Sequence, residues 1–453
     1  MHPVKGTHDL GLSAFGPEAS FTPSKFSPKA LTFIHTLNDI RILGQPKKIG
    51  IAGFFVGKTW ISKGRVSVPG GYMSYQSLPL IIGAGPIGLG AALFLTRQGR
   101  EVRLVEMLEL PAKESRALAV NPRTLEILKP TGITRQMLEL GLPIRGVCFH
   151  RQQKIFARLS LDGIHTKYPF MLGLSQASTE RLLLRALERA GGRVERGVKL
   201  VDCHTSDDGV EAILQPTAGG TLKVAECPWL LAADGAHSTT REKLKIVFSG
   251  TSLTHDWYLA DVPLRTGLPE DHAHVFFSAG GRLLFMIRVV DEALKETAEG
   301  QLWRVMSNRP EPLAQLVLAE QAGAPWWESS FSVSHCMVAD LAAQEVYLAG
   351  DAAHLHSPLG ARGMNLGLED AWVFSELVRT KRLSEYNDLR RKIDRDVVRR
   401  VELLTRMAAA ESPFSRILRE FAFPAVVKTP VLRGRMLSVL TGLDHELPDF
   451  TGH

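Results

Sequence analysis

The stretch LPLIIGAGPIGLGAALFL, residues 78–95, runs without a single charge at the length where a membrane-spanning helix is ordinarily suspected. Four glycines and two prolines inside it argue otherwise. They divide it into a short buried strand at Leu80–Ile82, a tight turn and a helix opened by Pro86. Gly83, Gly85 and Gly88 have GxGxxG spacing. In such a turn the first glycine allows the bend, the second lets a pyrophosphate approach the backbone, and the third lets helix and strand pack closely. The helix N-terminus then offers the phosphates free N–H groups and a positive dipole end. A second strand, EVRLVE, ends in Glu106, where a carboxylate can accept hydrogen bonds from an adenosine ribose. Strand, turn, helix and acid together predict dinucleotide binding.

Composition narrows the class. The 453 residues, 45% hydrophobic and 22% charged, suit a globular protein of two or three domains with a large core. A net charge of +7 fits an anionic cofactor, a phosphorylated co-substrate, an acidic membrane surface or nucleic acid. No Lys/Arg block or aromatic-basic stripe points to nucleic acid, which is not expected as a partner. Cys148, Cys203, Cys227 and Cys336 are far apart and form no CxxC pair, which predicts neither a zinc site nor a disulfide framework, and a reducing, cytoplasmic setting. Residues 1–77 carry nine Lys/Arg against three Asp/Glu and are rich in Ser, Gly and Pro. They are expected to be a poorly ordered extension, with organellar targeting left open. Within them GFFVGKTW looks like a phosphate loop, but only three residues separate Gly53 from Gly57 where the pattern needs four.

Two further segments decide between dinucleotides. WLLAADGAHSTTR, residues 229–241, is an apolar strand ending in Asp234-Gly235, and VYLAGDAAH, residues 346–354, is another ending in Gly350-Asp351. A single Asp-Gly pair would ordinarily be a capped turn. With the glycine turn, in this order and spacing, the three segments resemble the fingerprints of the FAD-dependent aromatic hydroxylases, the single-component flavoprotein monooxygenases of the para-hydroxybenzoate hydroxylase type. The resemblance runs from about residue 78 to residue 378.

That resemblance implies a fold and a site. The fold is α/β: a Rossmann-like FAD-binding domain over 78–380, interrupted by a mostly antiparallel substrate sheet at about 142–172 and 251–333, with a C-terminal helical region over 381–453. By the resemblance Glu106 holds the adenosine ribose, Arg116 lies along the FAD pyrophosphate and Gln176 sits beside the ribityl chain. Asp234, with Gly235, belongs to a motif implicated in FAD and NADPH binding, and Asp351 holds ribityl hydroxyls. Pro358, Gly360, Gly363 and Asn365 match residues that wrap the isoalloxazine ring. Read without the family, Gln176 and Arg116 are side chains that simply meet solvent. Ala361-Arg362 replaces the second glycine found after Gly360 in many members, and Phe285-Met286-Ile287 stands where related chains often carry a proline.

The activity implied is an NADH- or NADPH-consuming monooxygenase that hydroxylates an aromatic or related apolar substrate with O2, through a flavin C4a-hydroperoxide. A same-fold reductase or halogenase acting on a lipid or aromatic, a plain NAD dehydrogenase and a non-catalytic flavin-binding protein remain the alternatives. No catalytic acid or base is identified. His354 and His356 flank Leu355, but no third ligand is evident, so no metal is expected. The helix following Gly363 should turn Leu366, Ala371, Phe374 and Leu377 to one side. Helices after Thr380 have mixed basic and apolar faces, read as packing on the main body, with a peripheral membrane contact left open.

Overall fold

Three parallel strands whose every side chain is buried organise the first sheet: β4 (Leu80–Ile82), β15 (Leu230–Ala232) and β23 (Val346–Leu348). The computed structural model describes residues 53–56, 59–62, 65–67, 77–111, 117, 119–207, 209–278, 281–292, 301–358, 360–409 and 423–450. Arg116 and residues 1–52 lie outside them. Apart from the rest, β1 (Gly53–Val56), β2 (Thr59–Ser62) and β3 (Arg65–Ser67) form an antiparallel meander. Val56 pairs with Thr59, so a strand, β2, stands where a phosphate loop needs a helix.

The first sheet has the order β11-β5-β4-β15-β23-β22. Here β5 is Arg103–Glu106, β11 is Val194–Arg196 and β22 is Ala342–Ala343. All neighbours are parallel except β22 on β23. The chain leaves β4 toward β5 on one side and returns to β15 on the other, so the carboxyl ends around β4 form a topological switch point, where open α/β sheets bind ligands. Helix α1 (Pro86–Arg97) rises from that point, and Leu89, Ala91, Ala92, Leu93 and Leu95 along it are almost wholly buried. A Cβ on Gly88 would overlap the Gly83 carbonyl oxygen, and one on Gly83 would overlap that of Ala233. The turn is thus packed without space for a side chain at Gly83 or Gly88.

Helices α2 (Pro122–Leu128), α3 (Ile133–Leu140) and α4 (Gln176–Arg189) extend this core. Two small antiparallel sheets flank it, one of β6 (Ala119–Val120), β10 (Met171–Gly173) and β7 (Leu142–Ile144). The other comprises β12 (Val198–Ser206), β13 (Gly209–Pro216) and β14 (Lys223–Cys227). Short α5 (Thr239–Lys243) follows β15.

The large sheet is mostly antiparallel, as the alternating stretches suggest. Its main path runs β24-β21-β16-β19-β18-β17-β8-β9, with β8 (Gly146–Arg151), β9 (Lys154–Ser160), β16 (Phe248–Thr266), β17 (His272–Phe277), β18 (Leu283–Arg288) and β19 (Gln301–Ser307). The rest are β20 (Ala319–Gln321), which pairs with β16, β21 (Trp327–Val338) and β24 (His354–Leu355). Within this sheet only β17 on β8 is parallel among the described pairings. Period-2 alternation sorts its side chains. Ala273, Ile287, Leu302 and Met306 join one buried cluster, and Phe276, Met286, Trp303 and Val305 join another.

Helix α6 (Gly363–Thr380) packs on α1 and is buried almost all round, with Leu366, Ala371, Phe374 and Leu377 each exposed by 1% or less. Helices α7 (Tyr386–Ala409), α8 (Phe423–Lys428) and α9 (Pro430–Thr441) follow. No helix among the described residues is long and apolar enough to cross a membrane; Leu78–Leu95 is strand, turn and helix.

The packing at the turn generates a test. Gly88→Val should prevent folding, read as loss of soluble monodisperse protein. By contrast, a Cβ on Gly85 meets nothing within 4 Å, so Gly85→Val should retain the native circular dichroism spectrum and thermal transition.

Candidate active site

The site grows from the open side of Gly85. This residue caps α1 with no side-chain hydrogen bond, and Pro86 follows at the first helical position, so the N–H groups of the first turn face outward unblocked by a side-chain cap. Glu106, at the end of β5, accepts the Ala84 N–H at 2.7 Å and the Leu108 N–H at 2.9 Å. Its carboxylate is therefore fixed beside the turn, with lone pairs left for a further donor. At the adjoining strand end, Asp351 is exposed just beyond β23, and Gly350 before it, at φ +59°, packs against Ile87 of α1. Glu106 and Asp351 thus approach the α1 N-terminus from opposite sides of β4.

Other predicted residues serve the protein's own structure. Gln176 opens α4; its Oε1 accepts the Ala117 N–H at 3.1 Å and its Nε2 donates to Glu180 at 2.8 Å. Asp234 Oδ2 accepts the N–H and the hydroxyl of Thr240, both at 3.1 Å, which ties the end of β15 to α5, while its Oδ1 is buried without a partner. Gly235 takes φ +79°. Asn365 is buried, accepting from Asn121 N–H at 3.0 Å and donating to the Ala119 and Ala361 carbonyls. It pins the loop before α6 to β6 and α2, with both amide N–H donors used there.

That loop turns tightly. Ala361 N–H donates to the Pro358 carbonyl at 3.0 Å, and Gly360 and Ala361 take φ +88° and +52°. Ala361 therefore holds a left-handed conformation that glycine adopts more easily. Gly363 begins α6, which, like α1, has no side-chain N-cap.

Pro358, Gly360 and Ala361 form one wall of a cavity of about 100 Å3. The facing wall is the large sheet, through Val147, Ala273, Phe285, Ile287 and Met306, with Met171 of β10 and Leu440 of α9 closing the sides. Phe285 and Ile287 thus occupy the wall where the missing proline was expected, while Met286 points to the other face. Among the described residues, all fifteen that line it are glycine or carry a hydrocarbon or thioether side chain.

Behind the loop lies a buried ionic network that sequence reading missed. Arg390 of α7 pairs with Asp370 at 2.7 Å, with Asp394 at 2.8 Å and with Glu369. His354 Nε2 meets Asp370 at 2.8 Å. Burial opposes its protonation, but Asp370 and Asp394 outweigh that and raise its pKa to about 9. His354, Asp370 and Asp394 have ligand-type atoms within 4.8 Å of one another, yet the guanidinium of Arg390 already occupies both carboxylates. His356 is held apart, on the Ser357 carbonyl at 2.9 Å, and burial pushes its pKa down to about 3. The available signal was an Asp-Glu pair inside an apolar helix, Glu369-Asp370, which needs buried cations to be stable.

The network extends to the chain's last described segment. Asp444 accepts from Arg362 at 3.1 Å and from Arg400 at 2.5 Å, while His445 bridges Asp444 at 3.2 Å and Glu369 at 2.6 Å. Arg123 grips the Gly442 and His445 carbonyls, and the Phe450 ring packs edge-on to Trp372. Residues 442–450 are thus strapped across α6.

With this geometry in view, the comparisons with known proteins are decisive. Residues 78–401 match the FAD binding domain family. The chain belongs to that family, the FAD-dependent aromatic hydroxylases. It is similar to 6-methylpretetramide 4-monooxygenase of Streptomyces rimosus, 34% identical over 323 residues, which are 66% of this chain and 56% of that protein. Among solved structures it resembles p-nitrophenol 4-monooxygenase PnpA from Pseudomonas putida DLL-E4, with TM-score 0.70, 21% identity and coverage of 81% of this chain and 98% of that one. It also resembles OxyS anhydrotetracycline hydroxylase from Streptomyces rimosus, with TM-score 0.68, 25% identity and coverage of 82% and 76%. The chain therefore spans little more than half of the first of these relatives. FAD is the family's cofactor, and the open side of Gly85, the uncapped α1 and the Glu106 carboxylate fit it.

The strap makes an electrostatic prediction. Burial would raise the pKa of Glu369, but Arg390 and His445 hold it down to about 2; His445 and Arg362 do the same for Asp444. A depressed carboxyl contributes stability that is complete above its unfolded pKa and lost as pH falls through its folded pKa. His445 is raised, against burial, by Asp444 and Glu369, so its share is complete below the ordinary histidine range and fades at higher pH. Thermal stability should therefore fall as pH drops from about 4.5 toward 2. Asp444→Ala should cost about 3–5 kcal/mol near pH 6 and flatten that acid limb in calorimetry.

Proposed function

We propose that this chain is a monooxygenase that uses FAD, NADH or NADPH, and O2 to hydroxylate an aromatic or related apolar substrate. The overall balance is substrate C–H, O2, NAD(P)H and a proton giving substrate C–OH, water and NAD(P)+. The observation that carries this reading is the shared cavity: its two main walls are the loop at Pro358–Ala361 and an apolar face of the large sheet. A substrate held there lies against the loop that in related chains wraps the flavin ring.

Bound FAD supplies the redox chemistry, accepting electrons from NAD(P)H and activating O2 for transfer of one oxygen atom. The protein's own residues bind, orient and exclude water. The uncapped N-terminus of α1 takes the pyrophosphate beside Gly85, Glu106 accepts from the adenosine ribose, and Asp351 accepts from ribityl hydroxyls. The uncapped N-terminus of α6 stabilises negative charge placed against it. Asn365 acts as a positioning residue, holding the Ala361 carbonyl and β6 in fixed relation. The lining side chains keep the cavity poor in water, which favours oxygen transfer over loss of the oxidant to solvent. NAD(P)H takes a groove of its own transiently, since the sequence carries one glycine fingerprint.

The test is a screen of NADH and NADPH oxidation against phenols and quinone precursors, with mass spectrometry for a product 16 mass units heavier. Gly85→Val, folded but lacking FAD, should be inactive. Gly360→Val should keep FAD and part of the NAD(P)H oxidation but release H2O2 in place of hydroxylated product, because Val strains a φ of +88° and meets Leu440 at 3.3 Å. Equal coupling in mutant and wild type, or no O2-dependent product with any ligand that speeds NAD(P)H oxidation, would overturn the monooxygenase reading.

A further inference from the structure

The cavity discriminates by charge as well as by shape. Its fifteen described lining residues contribute no charged or hydrogen-bonding side chain, and two arginines that neighbour lining residues, Arg304 and Arg362, are not among them. On the same face of the large sheet, Arg304 lies opposite Ile287 in register. It is wholly buried, with Nε and Nη2 each 2.6 Å from an Asp261 oxygen, a two-pronged pair with its guanidinium 5.5 Å from the Trp327 ring. On the loop wall, Arg362 follows Ala361 but is itself buried, sending Nη2 to Asp444 and Nη1 alongside Gly442, with Nε and Nη1 left without a hydrogen-bond partner. Neither cation lines the cavity.

Resting on the monooxygenase reading, we propose that this cavity selects neutral aromatic rings and rejects rings bearing a carboxylate or other fixed anion. An anion entering a hydrocarbon-lined space loses its hydration and finds no charged or hydrogen-bonding side chain among the described lining residues to replace it. A neutral ring of the same outline loses only water that apolar walls hold poorly. At about 100 Å3 the cavity is smaller than the apolar cavity of about 150 Å3 that takes benzene, so a single ring enters only with outward movement of the walls. Met171, on β10 and 9% exposed, is the natural position from which to reverse the preference, because a lysine follows the same unbranched path and adds the missing cation.

The experiment uses the FAD-loaded protein in its oxidised form and reads binding from the flavin absorbance and fluorescence, without NAD(P)H or turnover. The probes are 4-isopropylphenol, methyl 4-hydroxybenzoate and 4-hydroxybenzoate. Both neutral phenols should bind at least about 100-fold more tightly than the carboxylate, a gap equivalent to two tenfold steps in Kd. Met171→Lys should tighten 4-hydroxybenzoate at least about tenfold and weaken 4-isopropylphenol; Met171→Gln, polar but uncharged, should weaken the neutral phenols without gaining the acid. Retained FAD and an unchanged thermal transition identify folded variants, and the wild-type ratio decides the matter if the lysine variant does not fold. The proposal is overturned if 4-hydroxybenzoate binds wild type as tightly as the neutral phenols, or if none of the three binds. Neutral ligands that bind selectively but are never hydroxylated would instead overturn the monooxygenase reading and leave the charge selection standing.

Discussion

Close backbone packing at the N-terminus of α1 is the constraint on which the rest of the structure depends. Gly83 and Gly88 let the helix descend onto β4 and β15 with no side chain between, and Gly367 and Gly350 let α6 and the end of β23 reach Ile87 on the same helix. A side chain at Gly88 or Gly367 would force the elements apart. The consequence is that two uncapped helix ends, a fixed carboxylate at Glu106 and an exposed one at Asp351 converge on a single switch point. Such convergence gives an anionic, extended cofactor several partial positive ends and acceptors at once, none of which would suffice singly.

The cavity follows from the same packing. Since α6 is locked to α1, the loop that precedes it is held at a set distance from the large sheet, and Asn365 fixes its far end to β6. The loop bends back through two successive left-handed residues, one of them an alanine. Its backbone, together with Pro358 and Ala361, therefore faces the sheet as an apolar wall. The loop and the large sheet enclose one cavity, so movement of either alters the other. That coupling is the physical basis for expecting changes at Gly360 to affect the fate of the oxidant more than cofactor affinity.

A buried electrostatic scaffold supports this arrangement from behind. Four carboxylates, from Glu369, Asp370, Asp394 and Asp444, are balanced by Arg390, Arg362, Arg400, His354 and His445. Such a network adds little net stability over an apolar core, but removing any one partner leaves an uncompensated buried charge. It therefore specifies how α6, α7 and the strap must sit relative to one another.

Much of this was legible in the sequence. The GxGxxG turn, the strand ends at Glu106, Asp234 and Asp351 and the alternating stretches of the large sheet are local signals, because turn chemistry and side-chain period are set by near neighbours. The helical spacing of α6 marked Leu366, Ala371, Phe374 and Leu377 as buried, but not that the helix is buried almost all round, with Leu366 packed against Val397 and Val401 and the other three in the main core. The sequence could not reveal that Asp234, Gln176 and Asn365 direct hydrogen bonds into the protein itself, since their partners Thr240, Ala117, Glu180, Asn121 and Ala119 are chosen by packing between elements. Nor could it pair Glu369 with His445 across 76 residues or bring Leu440 opposite Gly360. A sequence determines which backbone turns can form and which faces avoid water; which charges meet, and which side chains close a cavity, is decided only when distant segments share one densely packed interior.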